Sequence, residues 1–507
     1  MTANPDVAES APPPTEAGTE APGLLRNSVG LPGVLFVAIA TMAPGAGAAY
    51  AIATGAPFAG GSLPLAVVFA LIGSVLVATA IGQVAKHISS AGGLAASVGT
   101  SMHSAVGFIV AWGYPFIYLF AMPYLALVFG NLLATTLSPD GTGADFNLIW
   151  TVGALLCLAG AFATNFLGVE VGVRFGLVLG LLEIGVLVVM SVWMIFAAGD
   201  GNSLAVFTPS EATVPGFEGM SGVFAASVFG FLAFIGFEAA APLAEEAKNP
   251  RRTVPRAVVG SALLLGVFFV FTTYASTVYF GQDKMAEFMA YNGGNAWIGL
   301  AKTLWGGGWV VLLVTLLISS FACMNCAAMA ATRGMWAMGR SGTLPKFFGH
   351  IHPRWRSPSN AVLVFFGVGT VLTFVGGYVW DPVTAYALFG TVLTVCVLPI
   401  YIVAALACPV YYLRHRRSEF NVFLHLIVPV LGVAFLVPAF FAGTGIQAFS
   451  FVAPLSYPMN LAGLIVGAWY LAGIGVMIYL LLRRRASLER LSESVDLEPV
   501  RAPAPRS

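Results

Sequence analysis

The chain has 507 residues, of which 58% are hydrophobic and only 9% charged, with a formal net charge of +1. Soluble domains carry about 25% charged residues, so this composition excludes a chain wetted over its whole surface, and the near-zero net charge gives a nucleic-acid partner no electrostatic support. The apolar residues fall in long blocks near the ~20 residues that a bilayer-crossing helix needs, without the dyad alternation of membrane-barrel strands, which makes the fold class an all-α integral membrane protein.

The first residues are rich in Pro, Ala, Glu and Thr, and Asp6, Glu9, Glu16 and Glu20 precede the first basic residue, Arg26. A cleavable signal peptide starts basic and turns apolar early. Residues 1–27 are therefore expected to be a disordered cytoplasmic tail, and residues 486–507 likewise. Between them lies one membrane domain, residues 28–485, with twelve apolar blocks near 31–57, 62–85, 104–136, 147–167, 171–198, 221–243, 255–280, 296–331, 359–379, 384–412, 421–443 and 459–482. The third and eighth are long for a span, so their ends are expected to tilt or reach into water.

Numbering the connections alternately puts 21 of the 23 Lys and Arg residues on the side of both termini, and leaves only Lys284 and Lys302 on the other. The positive-inside rule assigns the basic side, and so both termini, to the cytoplasm.

The apolar pattern fails at two places. Span 1 carries Ala43-Pro44-Gly45-Ala46-Gly47 near its middle, where proline removes a donor and glycine weakens the helix. Span 6 carries Gly230 and then Phe234-Ile235-Gly236-Phe237-Glu238, with a carboxylate deep in an apolar block. If residues 31–198 and 221–412 are two repeats, followed by helices 11 and 12 at about 421–482, the breaks occupy the first helix of each half. Broken helices at matching positions of inverted halves point to a midplane binding site. Freed N–H groups there can hold a carboxylate and freed carbonyls an ammonium, which suits a zwitterionic amino acid. The same glycines would also serve close helix packing.

After span 6 the chain reads Glu245-Glu246-Ala247-Lys248-Asn249-Pro250-Arg251-Arg252-Thr253-Val254-Pro255-Arg256. After span 8 it reads Thr332-Arg333-Gly334-Met335-Trp336-Ala337-Met338-Gly339-Arg340-Ser341-Gly342-Thr343-Leu344-Pro345, continued by Pro353 and Pro358-Ser359-Asn360-Ala361. With Ser90-Ala91-Gly92-Gly93, Gly107 and Trp112 as a weaker match, roughly residues 28–485 resemble the amino acid–polyamine–organocation (APC) transporter superfamily. The resemblance implies a LeuT-like fold of two inverted five-helix repeats with helices 1 and 6 broken, plus two extra C-terminal helices. It also implies amino acid or amine transport by alternating access, coupled to protons, to sodium or to exchange.

Carried over by position, the resemblance gives the substrate carboxylate to the N–H groups of the span 1 break. The aligned tripeptide here is Pro44-Gly45-Ala46, and since proline has no N–H the donors are Gly45, Ala46 and Gly47. Carbonyls of Met42, Leu232 and Ile235 match the amine site. Relatives that bind cations place an aromatic where Leu232 stands, so the reading leans to neutral amino acids. Glu183, mid-way along span 5, stands where some proton-coupled relatives have a lysine, close to the span 1 break. It is expected either to take up and release a proton or to bond a neighbouring helix. Glu238 is expected to bond freed donors of the span 6 break or to join a gate. Arg174 and Glu170 are expected at the cytoplasmic end of span 5, and Glu245, Glu246, Lys248, Arg251 and Arg252 read as an inner-loop ion network.

Neither the six histidines nor the five cysteines show persuasive metal-ligand spacing. Cys323 and Cys326 read as packed small hydrophobes. No phosphate-binding loop of the Gly-x-x-x-x-Gly-Lys-Ser/Thr type occurs, so a gradient is the expected energy source and no cofactor is expected. The expected function is a secondary active amino acid permease, proton-coupled with sodium as the alternative ion, in the cell membrane as a monomer or homodimer. A polyamine or organic amine transporter and an amino acid exchanger stand as alternatives, and an amino-acid-binding membrane sensor is the alternative of a different class. A membrane enzyme would need converging catalytic groups, and the intramembrane charges are too few for that.

Overall fold

The protein is described by a computed structural model over residues 30–89, 92–138, 143–168, 173–245, 247–484 and 495–496. The N-terminal tail, most of the C-terminal tail, Glu170, Glu246 and the side chains of Arg174 and Glu245 lie outside the described residues.

The described chain is almost wholly helical. Eleven helical stretches are long and apolar enough to cross a membrane. One of them, Pro44–Ala85, holds the second half of span 1 and all of span 2, and the shorter Leu31–Thr41 supplies the first half of span 1. The twelve expected spans are thus accounted for. The chain is a multi-pass membrane protein. Helices suit this setting because every internal N–H and C=O finds its partner within the segment.

Spans 3 (Ser104–Leu137), 6 (Met220–Phe234, then Phe237–Glu245) and 10 (Pro382–His415) carry mostly buried side chains. Spans 4 (Gly143–Phe166), 5 (Val173–Ala198) and 12 (Ala462–Arg483) turn large apolar residues outward, among them Leu156, Phe196 and Leu464. An apolar side chain with no protein neighbour is stable in that place only against lipid tails. Burial therefore separates a central group of helices from a lipid-facing rim.

The eighth apolar block departs from expectation. It is two helices, Ala296–Trp305 and Trp309–Ser341, separated at Gly306-Gly307-Gly308. Gly306 has a φ of 51°, a conformation a side chain resists, and that forces the turn. Only the second helix is span 8. The first belongs to a structured connection, 281–308, that carries both Lys284 and Lys302. The third block is a single helix of 34 residues with Pro115 and Pro123 inside it, about 50 Å long at 1.5 Å per residue and so longer than the hydrocarbon core. Of the C-terminal tail, Val495–Asp496 is described, paired antiparallel with Ile88–Ser89.

Candidate functional site

Span 1 breaks one step earlier than its sequence suggests. The first half ends at Thr41, Met42 caps it, and Ala43 takes a left-handed backbone with φ 46° and ψ 75°. Pro44 is the first residue of the second half. There its missing N–H costs nothing and its fixed φ suits the helix. Proline thus starts a helix here rather than interrupting one.

Starting a helix leaves its first N–H groups without intrahelical acceptors. Two side chains from distant spans supply them. Gly45 N–H donates to Oε1 of Glu183 on span 5, and Ala46 N–H donates to Ser319 Oγ on span 8 at 3.1 Å. Ser319 Oγ in turn donates to Glu183 Oε1 at 2.5 Å. Gly47 N–H closes the first intrahelical bond, to Ala43 O at 2.8 Å. All three donors expected to face a substrate carboxylate are therefore bonded within the protein. A carboxylate does sit at this half-helix N-terminus, as the dipole favours, but it belongs to Glu183. The approach is close enough that a Cβ on residue 45 would strike that carboxylate.

Span 6 breaks at Ile235, which is extended, and Gly236, with a φ of 123°. A side chain at Gly236 would also come within 3.0 Å of Met42 N and Thr41 C, so the two breaks lie backbone against backbone. Ile235 N–H donates to Leu232 O at 3.2 Å. That occupies one of the two lone pairs of a carbonyl expected at an amine site. Glu238 turns back on the break: its Oε2 accepts from Gly236 N–H at 3.0 Å and from Tyr401 OH of span 10 at 2.7 Å. Its Oε1 is buried without a partner, and so is the hydroxyl of Tyr114 on span 3.

A cavity of about 70 Å³ opens where the breaks meet. Met42, Ala46, Gly47, Leu232 and Ile235 line it, whereas Gly45, Glu183 and Glu238 are absent from its wall. Glu183 reaches the span 1 break from span 5, beside Ser319 of span 8. Sequence reasoning missed the opposite wall: Ile117, Tyr118, Ala121 and Tyr124 of span 3, Cys323 and Ala327 of span 8, and Leu393 of span 10. The spacing of Ile117, Ala121 and Tyr124 on one helical face was available as a signal, but nothing in an apolar block says which face looks inward. Cys323 and Cys326 are free thiols, and Cys323 faces the cavity rather than only filling the core.

A roof closes one end. Tyr386 stands edge-on to Tyr124 of the cavity wall and to Tyr50, with ring centroids 6.0 and 6.3 Å away. Above the tyrosines lies the 281–308 connection. Tyr50 OH donates to Asn295 Oδ1 at 2.9 Å, Asn295 Nδ2 to Thr135 Oγ1 at 2.6 Å, and Asn131 Nδ2 to Gly293 O at 3.0 Å. These bonds tie the connection to spans 1 and 3.

Comparison with known proteins agrees with this geometry. The family model "Amino acid permease" matches residues 29–470. The chain is 25% identical to the low-affinity putrescine importer PlaP of Escherichia coli, over 73% of this chain and 79% of that one. It is 26% identical to the branched-chain amino acid permease BcaP of Lactococcus lactis, over 79% and 83% of the two chains. It is also 26% identical to the serine/threonine exchanger SteT of Bacillus subtilis, over 87% and 96%. Among solved structures, a manganese transporter of Eremococcus coleocola superposes with a TM-score of 0.52 at 13% identity, over 90% of this chain and 95% of that one, a likeness of fold alone. The fold is the LeuT-like one of two inverted five-helix repeats with helices 1 and 6 broken and two further helices at the C-terminal end. With a family model covering most of its length and both broken helices meeting at one cavity, the chain belongs to the amino acid permease family of the APC superfamily.

Proposed function

We propose that the protein is a secondary active transporter of neutral amino acids that works by alternating access and is coupled to protons. The observation that carries the reading is the cavity at the meeting of the two breaks, whose described lining is mostly apolar and includes no acidic side chain. An aliphatic side chain gains from burial against Leu232, Ile117 and Leu393 at about 25 cal/mol per Å². A second cationic group would meet no countercharge there. The main chain of the substrate would lie against Met42, Ala46, Gly47 and Ile235, with Leu232 facing its side chain.

Coupling falls to Glu183. As an anion it holds Gly45 and, through Ser319, Ala46 at the start of the second half of span 1. A carboxylate at a helix N-terminus contributes up to about 2 kcal/mol. Protonation removes that charge, loosens the hold on the span 1 break and releases donors for a substrate carboxylate. Glu238 is assigned to gating: with Tyr401 it ties the span 6 break to span 10. The Lys and Arg asymmetry supports a cell-membrane orientation with both termini cytoplasmic.

Purified protein in liposomes, offered labelled neutral amino acids with and without an inward proton gradient, tests this. Accumulation driven by the gradient is the expected result, and no movement of any amino acid or amine overturns the reading. The second reading, an amine transporter, is favoured by similarity to the putrescine importer. Uptake of putrescine without that of amino acids would establish it instead.

A further inference from the structure

A second cavity, of about 200 Å³, lies away from the breaks, between the end of span 4, span 8 and the loop leading into span 9. Its lining includes Thr164, Asn165, Asn325, Thr332, Arg333 and Arg356, and none of its described lining residues is acidic. Thr164 Oγ1 and Asn165 Nδ2 both donate to Asn325 Oδ1, at 2.6 and 2.7 Å. That arrangement commits the oxygen of Asn325, a lining residue, to span 4, and the other end of its side chain is an NH₂ donor. Ser357 Oγ donates to Phe166 O at 2.6 Å and pins the loop to span 4. The result is a preformed polar recess with two guanidinium side chains and an amide donor, a chemistry matched to a phosphate group. Arg333 belongs to the sequence motif that begins at Thr332 and lies in the last turns of span 8.

We propose that this recess binds a phosphate-bearing anion, held by Arg333 and Arg356. The surroundings favour the headgroup of an anionic phospholipid as its source. The recess is at the end of the molecule that its basic residues assign to the cytoplasm. The loop beside it adds exposed Lys346 and Arg354 and turns exposed Phe347 and Ile351 outward. Basic residues next to apolar ones at a span end are the pattern that anionic leaflets attract. Bound there, a headgroup would bridge spans 4, 8 and 9, none of which is a broken helix, so its effect falls on stability and not on substrate affinity.

The test uses the full-length protein in nanodiscs of phosphatidylcholine alone or with phosphatidylglycerol, reading lipid retention by native mass spectrometry and the unfolding midpoint. Phosphatidylglycerol is expected to be retained preferentially and to raise the midpoint. An Arg333→Gln/Arg356→Gln variant is expected to retain it about thirtyfold less tightly, about 2 kcal/mol for two cationic contacts. The charge-preserving Arg333→Lys/Arg356→Lys variant, intermediate between them, guards against a folding defect. Inorganic phosphate in phosphatidylcholine discs, against chloride of equal ionic strength, separates the sources: a midpoint shift lost in the double Gln variant assigns the same recess to free phosphate. An equal response of wild type and the double Gln variant to phosphatidylglycerol overturns the proposal. So does an equal loss in Lys346→Gln/Arg354→Gln, which would mark a general surface-charge effect.

Discussion

The two breaks solve one problem in two ways. Each exposes backbone donors inside a membrane protein, and each meets them with a carboxylate. At span 6 that carboxylate is Glu238, two residues from the Gly236 N–H it accepts, steadied by Tyr401. At span 1 it is Glu183, 138 residues away on another span and shared with Ser319 of a third. A local cap moves with its own helix and keeps the break shaped wherever that helix goes. A distant cap is a bond between helices, so its strength sets whether they stay together. The first device suits a permanent bend and the second a joint.

Substitutions can break or sharpen this contrast. The largest effect is expected from Gly236→Ala, which combines a disfavoured φ with contacts at 3.0 Å to the span 1 backbone. A cost on the order of 3 kcal/mol should appear as a lowered midpoint in detergent together with lost transport. Gly45→Ala places a methyl group against the Glu183 carboxylate and should cost about 1–3 kcal/mol, with transport losing its dependence on the proton gradient before the fold is lost. If Gly45→Ala transports with normal gradient dependence, the joint is not at Glu183.

Glu183→Gln keeps an acceptor for Gly45 but abolishes the titrating group. Uptake should become independent of pH, while exchange of internal for external substrate persists. Glu238→Gln should slow turnover and leave the pH profile in place. The reverse pattern would exchange the two roles. The smallest effect belongs to Tyr401→Phe, which removes one donor to Glu238 and leaves the Gly236 N–H. About 1.5 kcal/mol of stability, read by thermal unfolding, is expected, with substrate affinity unchanged.

What the sequence revealed follows the range of the interaction. Spans 2 (Leu63–Ala85) and 9 (Ser359–Trp380) were legible to within one residue, because an apolar run bounded by polar residues is a local signal. The span 6 break was equally plain, since Gly236 and Glu238 lie two residues apart. Met42, Ala46, Gly47, Leu232 and Ile235 at the cavity were found through breaks and family likeness. The family likeness put residue 183 near the span 1 break, but not its bond to Gly45, because nothing near residue 183 records which donor it meets. Tyr118, Tyr124 and Cys323 were hidden for the same reason: in an apolar helix both faces look alike, and only packing chooses the inward one. The eighth block misled because its glycine triplet lies between two apolar stretches, and hydropathy does not register a turn that backbone conformation makes.

The roof over the tyrosines is fastened by amides, hydroxyls and backbone carbonyls, with Asn131, Thr135 and Asn295 at its centre. Neutral bonds of this kind are worth about 0.5–1.5 kcal/mol each, and they add to the burial of Met285, Phe288 and Trp297 of the same connection. Since dipoles and apolar burial rather than ion pairs fasten it, the roof should be indifferent to the salinity of the medium outside. A cell whose surroundings swing between fresh and brackish would keep it equally well fastened in both.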